Sequence, residues 1–99
     1  MRARYAAFVV EDEAFLLDTW HPSTRPPRIA FDPTVRWTDL DVLATTGGSA
    51  FERTGTVEFV ASAVQRRGRR TTPVRMHEIS TFVVTDRWVY LDGDVGAES

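Results

Sequence analysis

The chain has 99 residues, of which 42% are hydrophobic and 26% charged, and its formal net charge is −2. These values are typical of one globular domain with a core of its own, and they exclude a disordered chain. The sequence contains no cysteine, which excludes disulfides, thiolate metal sites and cysteine nucleophiles. No apolar run approaches the ~20 residues of a membrane span or forms a signal-peptide core, so we expect a cytoplasmic protein without membrane contact.

Two helical patterns open the chain. Residues 2–10 have helical spacing and one apolar face. The residues of that face are Tyr5, Phe8 and Val9. A second helix is predicted from Glu13 to about Trp20, with Asp12 as its N-cap and Pro22 as the residue that ends it.

Four strand patterns follow a rigid, proline-rich connection. They cover residues 35–45, 51–64, 74–84 and 87–91. Sequential strands with short connections favour an antiparallel meander, and helices placed before strands indicate the α+β class. We therefore predict one domain over residues 1–95, two N-terminal helices packed on a curved four-stranded antiparallel sheet, and a C-terminal tail over residues 96–99.

An arginine cluster lies between the second and third strand patterns. It consists of Arg66, Arg67, Arg69, Arg70 and Arg75. A nucleic-acid interface requires a basic face, whereas a solvated hairpin loop requires only a turn such as the one that Gly68 indicates. Because the whole domain is acidic and the cluster lies at the turn, the sequence favours an exposed hairpin and predicts no nucleic-acid partner.

Six short motifs occur in a specific order along the chain. They are RYAAFV (4–9), TWHPSTRP (19–26), Trp37, GTVEF (55–59), HEISTF (77–82) and RWVYLDGD (87–94). Together they resemble the central domain of the YchJ family of bacterial proteins, over nearly the whole chain. The resemblance implies a nuclear-transport-factor-2-like fold, also used by ketosteroid isomerases and limonene epoxide hydrolases. In that fold a bent sheet wraps around helices and forms a cone with an internal pocket.

The resemblance supplies no catalytic residues, because it carries no assigned activity and a fold alone does not define a function. It also has one departure. YchJ proteins usually carry a cysteine-rich, zinc-binding SEC-C motif before the first helix, and this chain opens at the helix itself. Met1 is then an internal methionine of a longer protein, the result of trimming, or a misplaced start.

Two carboxylates lie within otherwise apolar strand patterns. If Glu58 and Glu78 faced inward together, one of them could act as a general base. The alternative is that each belongs to a structural polar network, held by Arg, Trp or Tyr. Strand parity places Glu78 and Ser80 on one face and His77 on the other, so a local Ser–His pair is not expected.

Two further polar residues lie near the end of the second helix. His21 suits the negative end of the helix dipole, or could serve as a pocket ligand or base. Arg25 could clamp a carboxylate, and the expected partner is intramolecular. The candidates for that partner are Asp18, Asp32, Asp92 and Asp94.

The large aromatic residues Trp20, Trp37, Phe82 and Trp88 are expected in the core, and Trp and Tyr90 could also line the rim of a pocket. The full candidate pocket is Trp20, His21, Arg25, Trp37, Glu58, Glu78, Ser80 and Tyr90. The two histidines are far apart in sequence, so we predict no metal and no cofactor. Two functions compete: a non-catalytic module that binds a protein partner or small ligand, with a homodimer as one form, and a small-pocket isomerase or hydrolase using an inward carboxylate.

Overall fold

The computed structural model describes residues 1–48 and 51–94. Two helices, α1 (Arg2–Val9) and α2 (Glu13–Asp18), precede four strands. The strands are β1 (Val35–Gly47), β2 (Thr54–Arg67), β3 (Arg70–Val84) and β4 (Trp88–Asp94). They form an antiparallel sheet in the order β1-β2-β3-β4, which confirms the predicted α+β class and meander. The predicted domain end at residue 95 and the tail over residues 96–99 lie outside the described residues.

The second helix begins where predicted and ends earlier. The backbone N–H of Phe15 donates to Oδ1 of Asp12 at 3.0 Å, which caps the first turn. The helix stops at Asp18 rather than near Trp20, because the next residues leave the helix to pair with β4. The hydroxyl of Thr19 donates to the carbonyl of Phe15 at 2.8 Å and satisfies one carbonyl of the last turn.

The segment after α2 adds a short parallel contact to the edge of β4. The N–H of Tyr90 donates to the carbonyl of Thr19 at 2.9 Å, and the N–H of His21 donates to the carbonyl of Tyr90 at 2.7 Å. Trp20 and Tyr90 form the bridge between these two bonds. This backbone pairing fixes Trp20 against the sheet without help from helix packing.

The sheet has one face that carries the site. The pairing of β2 with β3 runs without a shift and places Phe59 opposite Glu78 and Ala61 opposite Met76. Cross-strand partners share a face, so these residues point toward the helices. Two irregularities in β1 and one in the pairing of β3 with β4 interrupt the ladder, and such bulges bend strands. The face of α1 and the inner face of β2 therefore enclose a space.

The β2–β3 hairpin extends further than its sequence pattern. The strands pair as far as Arg67 and Arg70, and Gly68 takes a φ of +62° in the two-residue turn. Arg66, Arg67, Arg69 and Arg70 are all exposed, as predicted for this hairpin tip. Two further strand ends differ from the prediction: β2 begins at Thr54 rather than residue 51, and β4 continues to Asp94 rather than ending at residue 91.

Two residues that were predicted to face the core are exposed. Val9 is 48% exposed, and the buried residue of α1 is Ala7. Trp88 is 40% exposed and therefore does not belong to the core. The inward face of α1 instead presents Arg4 beside the two rings of Tyr5 and Phe8, which line the enclosed space. Neither helix in the described residues is long and apolar enough to cross a membrane.

Candidate functional site

A cavity of about 200 Å³ lies between α1 and the inner face of the sheet. Most of its wall is apolar, and two charged side chains, Arg4 and Glu78, also line it. The other lining residues are Met1, Tyr5, Phe8, Trp37, Phe59, Ala61 and Met76. An apolar cavity with a small number of polar groups is the usual form of a small-molecule site.

Arg4 occupies an aromatic cage beside this cavity. Its guanidinium carbon lies 3.6 Å from the ring centre of Tyr90, 4.6 Å from that of Trp20 and 5.2 Å from that of Phe8. These distances are within the range of cation–π attraction. Burial lowers the pKa of Arg4 from its ordinary value, and the nearby Tyr90 and Glu78 partly oppose that shift. Within the described residues, the buried Nη1 atom of Arg4 has no hydrogen-bond acceptor.

Tyr90, one of the rings around Arg4, contacts two other rings edge to face. Trp20 and Tyr90 have ring centres 4.9 Å apart, and Phe82 and Tyr90 have ring centres 5.7 Å apart. Such edge-to-face pairs are a favourable arrangement of aromatic rings. Because Trp20 follows α2 and both Phe82 and Tyr90 come from the sheet, this cluster joins three parts of the chain around the cation.

Glu78 is half-buried and shares its face of β3 with Ser80. The hydroxyl of Ser80, which is fully buried, donates to the carboxylate of Glu78. The expected hydrogen-bond partners of Glu78 were Arg, Trp or Tyr, and the observed donor is Ser80 instead. The i, i+2 spacing on one strand explains the contact, because alternate residues point to the same side.

Gly93 brings the backbone of β4 against this carboxylate. A Cβ atom at position 93 would lie 2.5 Å from Cδ of Glu78 and 2.8 Å from the hydroxyl oxygen of Tyr90. Atoms that close cannot coexist, so only glycine leaves both polar groups in place. The sequence shows this glycine within the motif RWVYLDGD, but no spacing rule reveals which side chains it faces.

Of the two alternatives for the carboxylates, the inward pair does not occur. Glu58 pairs with Ile79 across the strands and lies on the face opposite Glu78. There its Oε2 is 2.6 Å from Nε2 of His77. The alternation of side chains along β2 accounts for the separation, since Phe59 points inward. The cavity therefore contains one of the two predicted carboxylates.

His21 and Arg25 do not line the cavity. Nδ1 of His21 accepts the backbone N–H of Ser23 at 3.0 Å and so closes a local turn. The guanidinium of Arg25 donates twice to the carbonyl of Trp20, both at 3.2 Å. The predicted carboxylate clamp is therefore wrong, and Arg87 takes one of the expected partners, Asp18, at 2.6 Å. The side chains of His21 and Arg25 therefore form hydrogen bonds within the loop that follows α2.

Trp37 lies in the wall of the cavity, where its ring contacts that of Tyr5 with centres 6.5 Å apart. Of the predicted pocket residues, Trp37 and Glu78 line the cavity, Ser80 supports Glu78, and Trp20 with Tyr90 encloses Arg4. The residue that sequence reasoning missed is Arg4. Its spacing of four from Phe8 could have indicated it, because residues i and i+4 share a helix face.

No group of three or more His, Cys, Asp or Glu residues that could hold a metal ion occurs within residues 1–48 and 51–94. The polar side chains that line the cavity are those of Arg4, Glu78, Tyr5 and Trp37, and the hydroxyl of Ser80 lies behind Glu78. This set is suited to hydrogen bonding with an organic molecule rather than to coordination of a metal.

Comparison with known proteins agrees with this architecture. Residues 1–93 match the family model described as the middle, NTF2-like domain of YchJ. The chain belongs to this family. It is 51% identical over 94 residues to a UPF0225 protein of Streptomyces avermitilis and 52% identical over 95 residues to one of Streptomyces coelicolor.

These relatives are longer than the chain. The matches cover 95% of this chain in both cases, but 62% of the S. avermitilis protein and 70% of the S. coelicolor protein. The YchJ-like fold also appears in the solution structure of a SEC-C motif containing protein from Rhodopseudomonas palustris. The R. palustris protein is 27% identical in sequence, and its structure matches with a TM-score of 0.77. The match covers 96% of this chain and 74% of the R. palustris chain.

Substitution of Gly93 by alanine tests the packing of the site. The new methyl group would push Glu78 away from Ser80 and crowd Tyr90, so Gly93→Ala should lower the free energy of unfolding by about 1–3 kcal/mol. Asp92→Ala, at the exposed neighbouring position, is the control and should stay within about 0.5 kcal/mol of the parent. Urea unfolding measures both. Equal, small effects would show that β4 does not press on Glu78.

The pH dependence of the free energy of unfolding tests whether the phenol of Tyr90 is buried. Burial raises its pKa above the ordinary 10.0, and the carboxylate of Glu78 raises it further. Since the folded-state pKa exceeds the unfolded value, the stabilisation is complete below pH 10 and is lost as the pH rises through the folded pKa. Urea unfolding should be measured at pH values below and above this range. The free energy of unfolding should fall more steeply with rising pH in the parent than in Tyr90→Phe. Parallel losses would contradict the burial of this phenol.

Proposed function

We propose that this YchJ-family domain is a non-catalytic module that binds a small organic ligand in the cavity beneath α1. The observation that carries the proposal is a mostly apolar cavity with Arg4 and Glu78 in its wall. Leaving a buried donor such as Nη1 of Arg4 without an acceptor costs about 1–3 kcal/mol, so this group requires an explanation, and a ligand-binding role for Arg4 would provide one.

The cavity size limits the ligand. A cavity of about 150 Å³ is enough for benzene, so one of about 200 Å³ accommodates a single ring with a small head group. For nine non-hydrogen atoms, a dissociation constant of about 1 mM corresponds to roughly 0.5 kcal/mol per atom, which is within the range of small ligands. We therefore expect weak binding of one-ring probes and tighter binding of the natural ligand.

The small-pocket enzyme is the second candidate, and one observation favours it. Glu78 lines the cavity as a carboxylate with a cation nearby, an arrangement that could move a proton and stabilise the resulting charge. Against it, Glu58 lies on the other face of the sheet, so the cavity does not combine two carboxylates. The binding module requires fewer assumptions about these same residues.

The distribution of charge bears on nucleic-acid binding. The exposed arginines of the β2–β3 turn project from one end of the sheet, and the domain as a whole is acidic. An acidic domain with one basic hairpin tip offers no extended positive face for a nucleic acid. A homodimer and a cytoplasmic location stay predictions of the sequence.

Benzyl alcohol provides the first test of the proposal. In a titration of the labelled domain followed by NMR, the expected shifts are confined to α1, the indole of Trp37, and the neighbourhood of Ala61. Met76→Trp fills the cavity and should abolish these shifts, whereas Met76→Leu, which keeps the volume, should retain them.

Two results would contradict the binding module. Shifts that persist unchanged in Met76→Trp would place the probe elsewhere, and an absence of shifts in the parent at millimolar probe would show that the cavity is not a site. Chemical conversion of carbonyl-containing one-ring probes, lost in Glu78→Gln, would favour the enzyme.

A further inference from the structure

The cavity contains an opposed pair of charges in an apolar wall. Arg4 and Glu78 both line it, and each acts electrostatically on the intervening phenol of Tyr90. Arg4 supplies only hydrogen-bond donors, while the ionised Glu78 supplies only acceptors. A molecule that enters therefore meets one group that requires an acceptor and another that requires a donor.

Neither charged group is saturated by the protein. Nη1 of Arg4 has no acceptor among the described residues, and the faces of its guanidinium are occupied by aromatic rings that accept no conventional hydrogen bond. Glu78 accepts from the hydroxyl of Ser80, and a carboxylate has about four lone-pair positions in all. Glu78 therefore retains capacity for a ligand, and a ligand can meet the part of the Arg4 guanidinium that lines the cavity.

The charges of the pair cancel. A ligand with a charge of its own would bring an unbalanced charge into an apolar cavity, where desolvation is costly, while a neutral ligand would not. The balance of Arg4 against Glu78 therefore decides the selectivity.

We propose that the cavity selects ligands whose head group is neutral and carries both a hydrogen-bond acceptor and a donor, with the carboxamide as the simplest example. The carbonyl oxygen accepts from Arg4, and the N–H donates to Glu78. A carboxylate of the same shape meets repulsion at Glu78, and a cation of the same shape meets repulsion at Arg4. This inference rests on the proposed ligand-binding function and specifies the chemical class of the ligand.

Three probes of nearly identical shape test the inference: benzamide, benzoate and benzamidinium. Titrations of the domain, followed by NMR, should show that benzamide binds at least about tenfold more tightly than either ion. In Glu78→Gln the balance becomes positive, and benzoate should gain at least about tenfold relative to benzamide. Glu58→Gln, on the opposite face of the sheet, is the matched control and should leave the order unchanged.

The outcomes separate the two proposals. Binding of the probes with benzoate or benzamidinium equal to or tighter than benzamide would overturn the head-group inference and leave the binding module standing. Failure of benzyl alcohol to bind would overturn the binding module itself, and the head-group inference with it. If Glu78→Gln does not fold, the order of the three probes on the parent domain alone decides the inference.

Discussion

The structure depends on the contact of the Arg4 guanidinium with the ring of Tyr90, at 3.6 Å from its centre. Arg4 comes from the first helix and Tyr90 from the last strand, so this contact connects the two ends of the described chain. The ring of Trp20 completes the cage because its backbone pairs with Tyr90 along the edge of β4. The cage adds to the contacts that α1 makes with α2 and β1, and α1 needs such contacts because a helix of eight residues is marginal alone.

The same contact produces the site. Holding α1 above the inner face of β2 creates the cavity, and the residue that holds it, Arg4, is also one of the two charged groups in the wall. Glu78 reaches the cavity because β4 leaves room for it at Gly93. Stability and binding therefore share residues here, and a substitution at Arg4 changes both. This is why the binding tests depend on Met76 and Glu78 rather than on Arg4.

The sequence allowed much of the fold to be predicted. Helical and alternating patterns located all six elements, and strand parity placed Glu78 with Ser80 and opposite His77, as observed. The ends of elements were less accurate, because tertiary pairing decides them: α2 stops where Trp20 joins Tyr90.

The site was harder to predict, for a physical reason. Charged helix residues usually face water, so Arg4 was not expected to be an inward residue, although its spacing of four from Phe8 places it on the apolar face of α1. His21 and Arg25 were placed in the pocket by proximity in sequence, and both instead bond within their own loop. Which face of a strand looks inward follows from periodicity, whereas which loop residues reach a cavity depends on three-dimensional contacts that periodicity does not encode.

A double-mutant cycle on Arg4 and Tyr90 tests the central claim most directly. The free energy of unfolding is measured for the parent, Arg4→Met, Tyr90→Leu and the double variant, with the exposed pair Arg87 and Asp18 as a comparison. A desolvated cation–π contact predicts a coupling energy of about 1–2 kcal/mol for Arg4 and Tyr90, larger than that of the exposed pair. A coupling energy near zero would show that the two residues act independently and that the cage does not hold α1 on the sheet.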